Sequence, residues 1–104
     1  MNTRVLPVIL FTLLLSACNK ITERMPGYEV HGIDVSHYQK EINWSSVAAQ
    51  DVHFAFVKAT EGLSYQDSFF CQNWYEMQEV GLKRGAYHFF RPTLSPEQQA
   101  RNYT

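Results

Sequence analysis

The sequence predicts an α/β fold in which about three strand–helix units follow one another from residue 29 onward. Short apolar runs recur at roughly 30-residue spacing, which is the length of a βαβ unit. Segments with helical periodicity lie between these runs, and capping or stop residues bound them. Parallel strands with right-handed helical crossovers predict the N-terminal portion of a TIM-like β/α barrel. A complete barrel usually needs about 200 residues or more, so we expect 104 residues to form an incomplete one.

The first predicted unit is a strand near residue 30 followed by a helix that begins after Asn43. Residues 30–36 alternate in polarity and place Ile33 and Val35 on one face of a strand. Asn43 is a good N-cap for the helix that follows. The apolar positions of that helix are Trp44, Val47 and Ala48.

The second unit begins with the continuous apolar run 54–57, which is typical of a parallel strand buried on both faces. A helix is predicted to begin near Asp67 and to end at Gly81. Its apolar positions follow the 3–4 spacing of an amphipathic helix and are Phe70, Trp74 and Met77.

The third unit begins with a strand over residues 85–90. Ser95 is predicted to cap the next helix, and Pro96 suits its first turn. Gln98 can complete a capping box with Ser95.

The first residues predict an export signal. One positive charge precedes an apolar run over 5–15, and Leu15-Ser16-Ala17-Cys18 follows. This order resembles a bacterial lipoprotein signal, with a signal peptide over 1–17 and lipid on the Cys18 thiol. An ordinary secretory signal with a chance cysteine is the alternative. Both interpretations predict an exported protein, and the first anchors it to a membrane of the bacterial cell envelope.

Residues 18–28 show no periodicity and are predicted to be a tether, which leaves 29–104 as the folded segment. Lipidation of Cys18 leaves Cys71 as a lone thiol, expected to pack as a small apolar residue. Nine basic residues balance ten acidic ones, so no nucleic-acid partner is expected.

Polar residues follow the apolar runs where the strands end, which is where β/α barrels carry their chemistry. Asp34 interrupts an apolar strand, and burying a carboxylate without partners is costly, so we assign it a functional role. The other residues at these ends are Ser36, His37, Lys58, Thr60, Glu61, Tyr87 and His88.

Several of these residues have plainer alternatives. Lys58 and Glu61 could form an ordinary surface ion pair. Tyr87 suits either the core or the mouth of a sugar cleft, where its ring stacks on a pyranose. A lone histidine such as His88 is more often hydrogen-bonded for structure than catalytic.

A metal hydrolase is a further alternative, because the chain has four histidines as well as Asp34. However, His31 and Asp34 stand three apart on one strand and face opposite sides. We therefore expect no metal and no other cofactor.

Three segments together indicate a family. Residues 32–39 (GIDVSHYQ), 56–62 (FVKATEG) and 85–89 (GAYHF) resemble three successive strands of the family 25 glycoside hydrolases, which are lysozymes with a partly irregular β/α barrel. The resemblance covers residues 30–104. It implies hydrolysis of the β-1,4 bond between N-acetylmuramic acid and N-acetylglucosamine, with peptidoglycan strands as the binding partner.

The resemblance also implies roles for residues. Asp34 matches the family's first-strand aspartate, with an electrostatic or base-type catalytic role. Lys58 and Glu61 match residues that bind substrate or support the catalytic groups, and Tyr87 matches a residue lining the sugar site. We expect the adjacent His88 to contact substrate as well.

The sequence departs from the family in one respect. The family's fourth strand carries an Asp-x-Glu pair whose glutamate is the expected general acid, and these 104 residues contain no such strand. We therefore expect the chain to be inactive alone. The alternative is a non-catalytic, lipid-anchored protein that binds cell-wall glycan or a partner.

Overall fold

A computed structural model describes residues 26–104. The predicted signal peptide over 1–17, Cys18 and most of the tether over 18–28 lie outside the described residues. Seven helices and strands follow in the described part, together with a 3-10 turn at His37–Gln39. They are β1 (Gly32–Val35), α1 (Trp44–Ala49), β2 (Phe54–Glu61), β3 (Tyr65–Gln66), α2 (Phe70–Glu79), β4 (Lys83–Phe89) and α3 (Pro96–Tyr103).

The strands form one mixed sheet around β2. β1 and β4 run parallel to β2, while the short β3 is antiparallel to its carboxyl end. Because β4 pairs along β2 as far as Glu61, β1 and β3 must share the opposite edge of β2. The predicted α/β fold, with three parallel strands separated by helices, is confirmed over these residues. β3 is a strand that sequence patterning did not predict.

One face of the sheet packs against the helices and holds the core. Val57 and Met77 are fully buried there, and Trp44 is nearly so. The Trp44 indole Nε1–H donates to Asn73 Oδ1 at 3.1 Å, which satisfies this buried polar group. α1 begins at Trp44 because the Asn43 side chain accepts from the Ser46 N–H, so the predicted cap is confirmed.

The other two helix starts differ in detail from prediction. α2 begins at Phe70 and not near Asp67, since a turn intervenes in which Asp67 Oδ1 accepts from the Phe69 N–H at 2.8 Å. Ser95 caps α3 as predicted. The predicted capping box is incomplete, because Ser95 Oγ donates to the Glu97 carboxylate and no contact from the Gln98 side chain to Ser95 occurs.

The second face of the sheet is open in the described residues. The rings of Phe54 and Phe56 lie directly over Gly32 and Gly85, where a Cβ atom would collide with them. Phe56 is 48% exposed. We refer to this surface, which also carries Asp34 and Tyr87, as the open face. Within 26–104, no helix has the length and apolar character needed to cross a bilayer.

Cys71 is exposed, so the prediction that it packs as a small apolar residue was wrong. It lies in the first turn of α2, six residues before the buried Met77. Six residues rotate a helix by about 600°, which places Cys71 about 120° away from the side that Met77 buries.

Candidate functional site

The carboxyl ends of β1, β2 and β4 meet at two adjoining depressions. The inner pocket has a volume of about 190 Å³ and is lined by Ser36, Tyr38, Lys58, Glu61, Tyr87, Phe89 and Arg91. The outer pocket has a volume of about 380 Å³ and is lined by His37, Tyr38, Glu61, Gly62, Leu63, Ser64, Tyr65, Arg91 and Leu94. Tyr38, Glu61 and Arg91 form the ridge that the two pockets share.

Lys58 is the buried cation of this site. Its side chain is only 3% exposed, although it stands on the open face. Three aromatic rings cover its ammonium group, with centroids at 5.0 Å for Phe89, 5.3 Å for Tyr65 and 6.0 Å for Tyr38. Rings at such distances attract a cation, but a buried ammonium also needs an anionic partner.

Glu61 is that partner, and it binds a second cation as well. Lys58 Nζ donates to Glu61 Oε1, while Arg91 Nε donates to Oε2 at 2.9 Å. These bonds from Lys58 and then Arg91 hold the pKa of the Glu61 carboxyl below its usual range. Glu61 therefore stays ionised at neutral pH. The burial of Lys58 distinguishes this arrangement from the ordinary surface ion pair considered above.

Asp34 stands apart from this ion pair. It is exposed on the open face, in register with Phe56. Its carboxylate makes no hydrogen bond or ion pair with any residue in the described part of the chain. Glu61 lies five residues beyond Phe56 on β2, which separates the backbone positions of the two acidic residues by about 13–16 Å along the strands. Paired glycosidase carboxylates lie about 5–9.5 Å apart, and both oxygens of the Glu61 carboxylate are bound by Lys58 and Arg91.

Tyr87 connects Asp34 with the inner pocket. Its hydroxyl donates to the Val35 carbonyl at 3.4 Å, and its ring lines the pocket. Burial, followed by the negative charge of Asp34, raises the pKa of Tyr87 above its usual value. The hydroxyl therefore remains protonated; its hydrogen is directed to the Val35 carbonyl, and its oxygen can accept from a ligand hydroxyl.

His88 lies on the opposite, helix-facing side of β4 and lines neither pocket. Its Nδ1 is 2.8 Å from Thr60 Oγ1, and its Nε2 is 3.0 Å from Gln99 Oε1. Both ring nitrogens are thus used in holding β2, β4 and α3 together. This placement matches the structural alternative for His88 more closely than the substrate-contact assignment.

Two features of the site were missed by the sequence reasoning. Arg91, the first charged residue after β4, completes the Glu61 ion pair. Asp67, assigned to a helix start, lies with its carboxylate fully buried under His37. Its Oδ2 accepts from the His37 backbone N–H at 2.8 Å and contacts the ring Nδ1 at 3.0 Å. Arg91 could have been predicted as a site residue because it closely follows the end of β4. No local sequence pattern indicates that Asp67 contacts His37.

α3 supports the loops around both pockets. The Gln99 side chain is buried and bonds both the N–H and the C=O of Arg91, each at 2.9 Å. Asn102 Nδ2 donates to the carbonyls of Glu61, Gly62 and Tyr65 at 3.1–3.3 Å.

Across residues 26–104, no three His, Cys, Asp or Glu side chains gather to hold a metal ion.

Comparisons with known proteins agree on one family. The family described as "Glycosyl hydrolases family 25" matches residues 33–104. The chain is 48% identical over 84 residues to the uncharacterized protein YegX of Escherichia coli K12, covering 75% of this chain and 31% of that protein. It is 53% identical over 66 residues to lysozyme M1 of Streptomyces globisporus, covering 64% of this chain and 22% of that protein.

Among solved structures, a family 25 glycosyl hydrolase from Bacillus anthracis superposes with a TM-score of 0.73 at 40% identity. The match covers 78% of this chain and 37% of that one. The chain thus spans about a third or less of the length of the curated relatives it matches.

Proposed function

Because this chain belongs to glycosyl hydrolase family 25, we propose that it supplies the first strands of a lysozyme-type β/α barrel. That barrel hydrolyses the β-1,4 bond between N-acetylmuramic acid and N-acetylglucosamine in peptidoglycan. The main support for the proposal is the cleft at the strand ends. There the carboxylate of Asp34 and the hydroxyl of Tyr87 lie on the same face of the sheet, the open face. The open face becomes the interior wall of the barrel.

Asp34 is the catalytic carboxylate of this segment. It is ionisable, exposed and not engaged by another described residue, so it can face a developing positive charge on the sugar ring. Glycoside hydrolysis passes through an oxocarbenium-like transition state that such a carboxylate stabilises. Tyr87 lines the sugar site beside it, where its hydroxyl oxygen accepts from a substrate hydroxyl and its ring packs against a pyranose.

Lys58 and Glu61 support substrate binding, because their ion pair holds the ridge between the two pockets in place. Glu61 cannot serve as the general acid, because an acid must hold its proton near neutral pH and the pKa of Glu61 is lowered. The described residues therefore offer a stabilising carboxylate without a matching proton donor. We propose that this chain alone binds peptidoglycan glycan and does not cleave it.

The site of action is the cell envelope. The proposed signal peptide over 1–17 exports the chain, and lipid on Cys18 anchors it to a membrane surface facing the wall. Tyr38 is 77% exposed and stands on the ridge between the pockets, which favours glycan binding as the second candidate function. In that case the chain is a lipid-anchored wall-binding protein with no part in catalysis.

Sedimentation with purified peptidoglycan sacculi tests the proposal. The chain should co-sediment, and Asp34→Asn and Tyr87→Phe should weaken its binding, whereas Glu79→Gln on the helix side should not. Muropeptide release, measured in parallel by chromatography, should stay at background for the chain alone. Absence of sacculus binding would refute the proposal, and release of muropeptides would refute the inactivity of the chain.

A further inference from the structure

We propose that the outer pocket is a subsite for an N-acetyl group of the glycan, with His37 as the residue that selects it. This inference rests on the proposed function, and it names the chemical group that a pocket separate from Asp34 recognises. An N-acetyl group combines an N–H donor, a carbonyl acceptor and a methyl group. The residues around the pocket offer one counterpart for each of the three.

His37 presents a hydrogen-bond acceptor to the pocket. Its ring lines the pocket, and the ring Nδ1 lies 3.0 Å from Asp67 Oδ2. The two carboxylate oxygens of Asp67 accept from the backbone N–H groups of His37 and Phe69, each at 2.8 Å. Asp67 is therefore the acceptor in the side-chain contact as well, which places the proton of the neutral imidazole on Nδ1. Nε2 then carries a lone pair, and it has no partner among residues 26–104.

The imidazole is held in one orientation. The Asp67 side chain beneath it is fully buried. The rings of Tyr38 and Tyr65 pack against the imidazole, with centroid distances of 4.2 Å and 5.5 Å. Asp67 is thus a positioning residue, because its contact with Nδ1 sets both the tautomer of His37 and the direction of the Nε2 acceptor.

Arg91 offers a donor to the same pocket without adding net charge. It bonds Glu61 through Nε and Nη2, and its Nη1 has no partner within the described part of the chain. Glu61 lines the pocket too, but Lys58 and Arg91 already occupy its two oxygens. Because the charges of Arg91 and Glu61 offset each other, the pocket suits a neutral dipolar group better than an ion.

Apolar side chains complete the lining. Leu63, Tyr65 and Leu94 are exposed there, and a methyl group that covers such surface is removed from water. The pocket volume of about 380 Å³ lies within the range of small-ligand sites. A sugar hydroxyl has no methyl group to bury. The combination of acceptor, donor and apolar wall therefore favours an acetamido group over a hydroxyl.

Calorimetric titration of the full chain with two matched β-1,4 tetrasaccharides tests this selection. One is built from N-acetylglucosamine, and the other is built from glucose, which has a hydroxyl in place of each acetamido group. We expect the N-acetylated ligand to bind about fivefold or more tightly, because it adds a hydrogen bond and buries a methyl group.

Three variants test whether His37 causes the preference. His37→Asn keeps an N–H donor near the Nδ1 position for Asp67 but has no atom at the Nε2 position, so it should lose most of the preference. His37→Gln places an oxygen acceptor near the Nε2 position and should restore part of it. His31→Asn, directly before β1 at the other end of the sheet, should keep all of it.

The tautomer of His37 can be tested without any substitution. Nitrogen NMR of the native chain at mildly alkaline pH should show a protonated Nδ1 and an unprotonated Nε2, and the Nε2 signal should shift when the N-acetylated tetrasaccharide binds. The opposite tautomer would overturn the inference whether or not the variants fold.

The binding outcomes separate the inference from the proposed function. Equal affinity of the native chain for the two tetrasaccharides overturns the inference alone, as does a preference that folded His37→Asn retains. Failure of both ligands to bind a chain that binds sacculi has the same consequence. If the chain binds neither the tetrasaccharides nor sacculi, the inference and the proposed function both fail.

Discussion

Replacing Glu61 with glutamine should destabilise the fold through Lys58. The Lys58 side chain is 3% exposed and Glu61 18%, so the substitution leaves a buried ammonium without its counterion. Removing one partner of a buried ion pair typically costs about 3–5 kcal/mol. Because solvent still reaches part of Glu61, we expect a loss near the lower end, about 3 kcal/mol. That is a large share of the roughly 5–15 kcal/mol that stabilises a typical domain.

Two further variants isolate the cause. Arg91→Gln removes the exposed partner of Glu61, and such exposed pairs contribute about 0–1 kcal/mol. The double variant Lys58→Met with Glu61→Gln removes both buried charges together. Since an apolar side chain of similar length fills the aromatic cage, we expect the double variant to recover most of the lost free energy of unfolding.

Urea unfolding of the full chain, followed by the fluorescence of Trp44 and Trp74, measures these differences. If only stability is affected, the urea concentration at the midpoint of unfolding should shift, while the slope of the unfolding free energy against urea concentration stays unchanged. A similar loss in Glu61→Gln and Arg91→Gln would refute the reasoning, because it would place the cost on the exposed pair. Failure of the double variant to recover relative to Glu61→Gln would refute it as well.

Three other predictions concern Glu61, Met77 and Asn102. The pKa of Glu61 is lower in the folded state than its usual value of 4.5. Its contribution to stability is therefore fully present above pH 4.5 and is lost as the pH falls through the lowered pKa. Glu61→Gln should lack this part of the acid-unfolding curve. Met77→Ala should cost about 2–5 kcal/mol, and Tyr75→Ala on the exposed side of α2 about 0.5 kcal/mol or less by urea titration. Asn102→Asp should weaken glycan binding in sacculus sedimentation at least as much as Asn102→Ala does, since aspartate replaces the donating amide with an anion that faces three carbonyl oxygens.

Local features were predictable from the sequence because their causes are local. Asn43 and Ser95 cap their helices through backbone groups three residues away, and residues 54–57 form a strand through their own apolar character. The continuation of β2 to Glu61 was harder to foresee. In its polar second half, Lys58 is covered by aromatic rings from other elements, among them Phe89 of β4.

The candidate site was predictable only in part, for the same reason. Asp34 and Tyr87 share the open face because adjacent parallel strands present residues in register, a rule that can be applied to a sequence. The contacts of Asp67 with His37, and of Asn102 with the loop after β2, join residues 30 to 41 positions apart. Such pairings depend on how the helices pack, which no local pattern encodes.

Glycan binding at the strand ends is tested most directly by two-dimensional NMR of the full chain, in which backbone amide shifts are mapped as the N-acetylglucosamine–N-acetylmuramic acid disaccharide is added. We expect shifts to concentrate at Asp34 and Tyr87 on the open face and at Tyr38 on the ridge, while the signals of Cys71 and Glu79 on α2 do not move. Shifts confined to the helix side, or none at saturating ligand, would contradict the claim that the strand ends form a glycan-binding cleft.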